Sequence, residues 1–342
     1  MKKTMLAAVF EGDGRLELQE RPIPSIKGDD EVLLAVEAAS ICGTDVHILE
    51  VPPGHPATPG IILGHEYVGR VVQVGKAVSH LAEGDRVVID PNLTCGLCHY
   101  CRLGLPNMCE TMTTLGIFID GGFAEYNVAP ARALFKVSPA LEPELAVFAE
   151  PLSCVLNAVR KISLEPGENV LILGAGPIGL YFTQILKASG AGRLLVSEIN
   201  DYRAHFARQS GADRVINPQS ESLSEIVEEE TGVGVDVVID AVGSLITEAL
   251  SSVRRGGRVL LFGMNAQARA EIAQNDITRN EIRVMGSYIA NNTFPAAIRV
   301  LESSLLNRRP LITHRLSLTK REEGIKQMRE ARAIGIVVRP QS

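Results

Sequence analysis

Short apolar runs broken by turn residues dominate roughly the first 150 positions. EVLLAVEAASICG, YVGRVVQVG and DRVVID are rich in β-branched residues and bounded by Gly, Asp or Pro, which predicts strands joined by tight connections in an antiparallel, partly barrel-like arrangement. MKKTMLAAVF reads as the first strand, because EGDGRLELQE follows at once and no signal peptide is expected. From about residue 153 the pattern becomes strand, then helix, repeatedly. NVLILG leads to a helix from about Ile178 to Ser189, RLLVSE to a helix from about Tyr202, and RVIN to a polar helix around Glu221 to Glu230; VDVVIDAVG, a further helix and GRVLLFG follow. Alternation of this kind predicts a doubly wound parallel sheet. After EIRVMGSYI, helical spacing in PAAIRVLESSLL and REEGIKQMREAR and a final IGIVVRP strand are expected to return to the first domain.

Length and charge narrow the classes. At 342 residues the chain is expected to form two domains. A net charge of −6 gives no basic face for nucleic acid or an anionic membrane. The most apolar stretch, VLILGAGPIGLYF, is interrupted by Gly and Pro and falls short of the ~18 residues a spanning helix needs. A soluble, cytoplasmic protein acting on a small molecule is the expectation.

Four cysteines in fifteen residues, Cys95, Cys98, Cys101 and Cys109, carry the sharpest chemical signal. Thiolates at C-x2-C-x2-C-x7-C spacing wrap one tetrahedral ion, so the segment reads as a closed structural zinc site. A disulfide lobe would need an oxidising compartment, and an iron-sulfur cluster is the remaining alternative.

Two further constellations bear on function. Gly174, Gly176 and Gly179 in GAGPIG, with Pro177 and Ile178, follow an apolar strand and open a helix. That order suits a pyrophosphate held at a helix N-terminus. Glu198, about twenty residues on, is placed to accept hydrogen bonds from an adenosine ribose and to repel a 2′-phosphate, favouring NAD over NADP, unless it is only a solvated strand-end charge. Arg203 could approach the ribose from the other side. Second, ICGTDVH groups Cys42, Thr44, Asp45 and His47, and LGHEYVG sets His65 beside Glu66. Thiolate, imidazole and carboxylate suit a zinc ion that keeps one position open. Glu150, in AEPLSC, lies where the two patterns meet. Singly, these residues have plain readings as core or helix-start side chains.

GTDVH after a cysteine, GHE, the four-cysteine lobe, EPLS and GAGPIG occur in that order along essentially the whole chain. Together they resemble the zinc-dependent medium-chain dehydrogenase/reductase (alcohol dehydrogenase) family, within it the sorbitol and threonine dehydrogenase branch. The resemblance implies an α/β protein with a GroES-like, mostly-β catalytic domain over 1–152 and 291–342, a zinc lobe at about 91–110, and a Rossmann NAD-binding domain over 153–290. It implies Cys42, His65 and Glu66 as catalytic zinc ligands, and Glu150 as a carboxylate that either binds the metal or hydrogen-bonds its water. It makes Thr44 the hydroxyl on the substrate oxygen, His47 the outward proton relay, and Asp45 an orienting neighbour. Two zinc ions per chain and NAD would then support reversible oxidation of a secondary hydroxyl to a ketone, through an alkoxide that passes hydride to NAD. A homo-oligomer, dimer or tetramer, is expected, with EIRVMGSYI able to extend the sheet across a two-fold axis.

The substrate is less constrained. Phe118 is a candidate wall residue. Ser287 precedes Tyr288 where many sorbitol dehydrogenases carry Arg-Tyr, and EPLSCVLNAV departs from the threonine dehydrogenase pattern. A polyol or cyclic polyol is the first expectation, with simple secondary alcohols and then threonine behind it. A zinc-free quinone-reductase-like relative or a non-catalytic relative of the same fold would be free to lose these ligands, and none is lost. His55, His99 and Cys154 are not expected to be ligands.

Overall fold

The structure, a computed structural model, describes residues 3–303 and 305–341. The chain divides into two compact units. One takes the chain through Ser153, the stretch from Asn291 and the tail from Arg308; the other takes Cys154–Ala290 with Leu305–Asn307.

The first unit is built on a seven-stranded sheet whose central strand is Glu31–Ser40. Strand Glu66–Val74 pairs with it antiparallel, with Ser40 opposite Glu66, and Tyr126–Pro130 also pairs with it. Arg86–Ile89 and Leu134–Lys136 continue the sheet on one side. The C-terminal strand Gly335–Arg339 sets Val337 against Ser40 and Val338 against Ala39. It is joined by helix Arg321–Arg329 to its parallel neighbour Ile312–Ser317. A hairpin of Thr4–Gly12 and Arg15–Pro22 packs on this unit through Phe10 and Leu16. Burial of Leu34, Leu63, Tyr67, Ile89, Leu115 and Phe123 around the central strands makes the sheet a rigid floor.

The second unit is a six-stranded parallel sheet in the order Arg214–Ile216, Leu194–Ser197, Val170–Leu173, Val235–Asp240, Val253–Leu261, Arg283–Gly286. VLIL and LLVS are buried along their whole length, as helices on both faces require. The order reverses direction between Val170–Leu173 and Val235–Asp240, the switch point where such sheets bind ligands beyond their carboxyl ends. The expected helices appear as Pro177–Ala188, Asp201–Gln209 and Leu223–Thr231.

Two features depart from the sequence expectation. Helix Ala149–Ile162 runs through the boundary between the units, so its first turn belongs to one and its body to the other. Leu305–Asn307 packs with the second unit, because the Gln184 side chain donates to the Asn307 carbonyl at 2.9 Å. No helix among the described residues is long and apolar enough to cross a membrane.

Candidate active site and metal centres

Strand register assembles the first cluster. With Ser40 opposite Glu66, the chain leaving Ser40 reaches Cys42 beside His65, and the candidate ligand atoms of Cys42, His65 and Glu66 all lie within 4.8 Å of one another. Cys42 caps helix Gly43–Ile48, and its amide donates to Asp45 Oδ2 at 2.8 Å, a capping-box arrangement with C-x-x-D in place of S-x-x-E. Thr44 Oγ1 stands 3.8 Å from the Cys42 sulfur. His47, on the same helix, is half exposed, with Nδ1 2.9 Å from Glu50 Oε1. Gly116 and Gly121 lie so close to the Gly64 carbonyl that a Cβ on either would collide with it. The segment carrying half-buried Phe118 is thereby pressed against the backbone before His65.

The electrostatics suit a cation. Burial, reinforced by Glu66, pushes the Cys42 thiol up to about 11. Burial opposes protonation of His65, but Cys42 and Asp45 together hold its pKa well above the ordinary histidine value. Burial also raises Glu66, opposed by His65 and by the Ser40 hydroxyl that donates to it. An acid, a thiol and an imidazole crowded in this way share protons that a divalent ion would replace. Two buried polar atoms, Asp45 Oδ1 and His65 Nδ1, have no hydrogen-bond partner among the described residues and stand 3.7 Å apart. A carboxylate behind a ligating histidine is the arrangement that orients such a ligand, so these residues fit a metal. Glu150 is buried in the first turn of Ala149–Ile162 and is not part of the three-residue set. Cys154 is buried further along the same helix.

The four lobe cysteines form the second cluster, again with all candidate atoms within 4.8 Å. All are free thiols. The Cys95 and Cys109 sulfurs are 3.6 Å apart, close to the ~3.8 Å between sulfurs placed tetrahedrally around zinc at about 2.3 Å. Amides of Leu97 and Cys98 donate to Cys95 Sγ at 3.4 and 3.2 Å, lowering its pKa to about 6. Partial burial and neighbouring thiols push Cys101 the other way, to about 12. His99 opens the short helix His99–Arg102 and packs edge-on against Tyr100.

The glycine loop follows strand Val170–Leu173. Gly174 sits at φ +95°, and a Cβ on Gly179 would run into the Gly174 carbonyl, so both positions require glycine. Gly176 caps the helix that Pro177 and Ile178 begin. Glu198 is not a solvated charge. It is 7% exposed, and its carboxylate accepts from the Ala175 amide at 2.7 Å and the Asn200 amide at 2.8 Å. Parallel pairing of Leu173 with Ser197 puts these carboxyl ends side by side. Arg203 lies over the loop, with Nη1 3.9 Å from where a Gly176 Cβ would stand, and its buried Nε has no partner among the described residues. A glycine loop opening a helix, with an acid behind it and a guanidinium whose Nε lacks a partner among the described residues, fits a dinucleotide. Glu198→Ala is expected to raise KM for NAD about tenfold and to narrow any preference for NAD over NADP by at least as much. An unchanged ratio of kcat/KM for the two cofactors would refute the ribose assignment.

Sequence reasoning missed Ser40, Glu50 and Asp240. Asp240 ends strand Val235–Asp240 and accepts from the amides of Val242, Gly243 and Leu245 at 2.8–2.9 Å. A strand-end acid followed by Gly is a signal for that kind of turn.

Comparison with known proteins agrees with this geometry. The family profile described as Alcohol dehydrogenase GroES-like domain matches residues 28–139, and that described as Zinc-binding dehydrogenase matches 177–303. The chain is 37% identical to D-altritol 5-dehydrogenase of Agrobacterium fabrum, over 92% of this chain and 94% of that protein. It is 38% identical to L-threonine 3-dehydrogenase of Pyrococcus abyssi, over 94% of each. Among solved structures it resembles a protein of Sinorhizobium meliloti 1021, described as a zinc-binding dehydrogenase and bound to NADP. The TM-score is 0.93 at 33% identity, over 99% of this chain and 100% of that one.

Proposed function

We propose a function from one premise: this chain belongs to the zinc-dependent alcohol dehydrogenase family, of which it is an oxidoreductase member. Its reaction is the reversible, NAD-dependent oxidation of a secondary hydroxyl of a polyol or sugar-alcohol-like substrate to a ketone. The observation that carries this is the meeting of Cys42, His65 and Glu66 within 4.8 Å, beside a helix bearing Thr44 and His47.

In this reading Cys42, His65 and Glu66 hold the catalytic zinc, with Glu150 the carboxylate that joins them or bonds the metal's water. Cys95, Cys98, Cys101 and Cys109 hold the structural zinc. Gly174, Gly176, Pro177, Ile178, Gly179, Glu198 and Arg203 hold NAD. When bound, the zinc supplies Lewis acidity that makes a hydroxyl ionisable near neutral pH, and NAD supplies the hydride acceptor. The chain's own residues do the rest. Asp45 orients His65. The Thr44 hydroxyl, next to Cys42, accepts the substrate proton as it gives up its own, and the exposed His47 ring, held at Nδ1 by Glu50, releases one proton to solvent.

A neutral substrate is favoured over threonine by the surroundings of the metal cluster. The charged groups acting most strongly on it are Cys42, Asp45, His65 and Glu66 themselves, with no Lys or Arg among them. A substrate carboxylate would find no Lys or Arg among those groups. NADH formation with polyols, monohydric secondary alcohols and threonine, each with NAD and NADP, tests the assignment. The expected order of kcat/KM is polyol, then secondary alcohol, then threonine, with NAD preferred. Threonine at the head of that order would overturn the substrate class.

We further infer a cytoplasmic homo-oligomer, dimer or tetramer. Free cysteines suit a reducing compartment. The edge strand Arg283–Gly286, with Val284 exposed, offers unpaired backbone to a second copy. A monomer by light scattering at micromolar concentration would remove the second inference.

A further inference from the structure

The loop after helix Gly43–Ile48 folds back onto that helix at His47. The Gly54 amide donates to the His47 carbonyl at 2.9 Å, and a Cβ on Gly54 would meet Glu50 Oε2 at 2.5 Å and the His47 side chain at 3.4 Å. Four residues on, the Thr58 amide donates to Ile117 O at 3.0 Å, beside Phe118. The loop is therefore strung between the His47 helix and the segment pressed on His65. Val51, Pro52, Pro53, Gly54 and Pro56 are exposed; His55 alone among residues 51–56 is half-buried. Its ring is close enough to His65, His47 and Asp45 to feel their charges, and burial and the two histidines keep it below the usual histidine pKa. That depression favours the neutral imidazole.

Its tautomer follows from its partner. Nδ1 lies 2.8 Å from the Pro56 carbonyl, which only accepts, so Nδ1 carries the proton and Nε2 is an acceptor. No partner within the described residues takes that lone pair. With Nδ1 committed to a carbonyl, the ring cannot pass a proton through to solvent, which distinguishes it from His47 beside Glu50. An acceptor on a loop strung between the His47 helix and the segment carrying Phe118, but unable to relay, suits binding rather than proton transfer.

We propose that His55 is a substrate-binding residue that sets specificity: its Nε2 accepts a hydrogen bond from a second hydroxyl adjacent to the one oxidised, selecting vicinal diols and polyols over monohydric alcohols. The assignment rests on the dehydrogenase reading above. A binding site built around a hydroxyl discriminates against analogues lacking it.

The test compares 2,3-butanediol with 2-butanol in the wild-type protein, His55→Phe, which keeps a planar ring without nitrogen, and His55→Gln, which restores an acceptor. His55→Phe is expected to lower kcat/KM for the diol about five- to tenfold while that for 2-butanol stays within about twofold. His55→Gln should recover most of the loss. Quenching of bound NADH fluorescence by the diol reads its Kd without turnover, and Kd should weaken in His55→Phe by the same factor. Equal losses on both alcohols, or no loss on the diol, with normal wild-type turnover, would overturn this proposal alone. Wild-type protein that oxidises neither alcohol would overturn the functional reading and this proposal with it.

Discussion

His65→Ala is expected to lower NADH formation by about 10⁴-fold while leaving the protein folded and still carrying the zinc of the cysteine lobe. His65 sits at the start of strand Glu66–Val74, pinned by the register that sets Ser40 against Glu66. Removing its imidazole leaves a thiol and an acid, too few donors for a catalytic zinc with three protein ligands. Without that ion the substrate hydroxyl must ionise near its own pKa, many units above neutrality, at a tenfold rate cost per 1.36 kcal/mol. Turnover above a tenth of the wild-type value would show that the Cys42, His65 and Glu66 cluster is not where the chemistry occurs. Asp45→Asn is the informative companion. It keeps the shape and weakens only the group behind His65, so a much smaller loss is expected, accompanied by weaker zinc binding.

Cys109→Ser is expected to remove one zinc ion and open the lobe. Between Cys95 and Cys109 the side chains that would ordinarily make a core face outward: Leu97 is 71% exposed and Leu103 61%. The base is held by a short two-stranded ribbon that pairs Asn92 with Thr114 and Leu93 with Thr113, and by the Leu115 amide on the Pro91 carbonyl at 2.9 Å. Apolar burial at about 25 cal/mol per Å² therefore contributes little within the lobe, and its order depends on the ion. Structural zinc sites in small domains carry roughly 10–16 kcal/mol of apparent binding free energy, and losing one of four thiolates is expected to weaken zinc by 10³-fold or more. Limited proteolysis should then cut within the lobe, with the metal count falling by one. A lobe as protease-resistant as the wild type, with the metal count unchanged, would refute the four-thiolate site.

Chemistry confined to one short segment was legible in the sequence. The lobe cysteines and GAGPIG needed no knowledge of the fold, because the spacing is itself the geometry. Buried apolar runs such as VLIL and LLVS likewise announced the parallel sheet. What stayed hidden depends on register between distant strands. Ser40 serves Glu66 only because residues 26 apart are paired across the sheet. Helix Gly43–Ile48 has six residues, too few for a 3.6-residue periodicity to declare itself. Glu198 directly follows strand Leu194–Ser197, but its grip on the Ala175 amide comes from parallel pairing that no single segment encodes. His55 reads in sequence as an ordinary loop histidine. It gains significance only when Gly54 closes on His47 and Thr58 on Ile117.

The most direct test of the central claim is stepwise chelation with zinc counted per chain and NADH formation followed on a polyol. Two zinc ions are expected at the start. Removal of the more labile one should abolish turnover with the lobe still protease-resistant, and zinc added back should restore it. Full turnover by protein whose Cys42, His65 and Glu66 cluster has lost its zinc would contradict the assignment of this site as the catalytic centre.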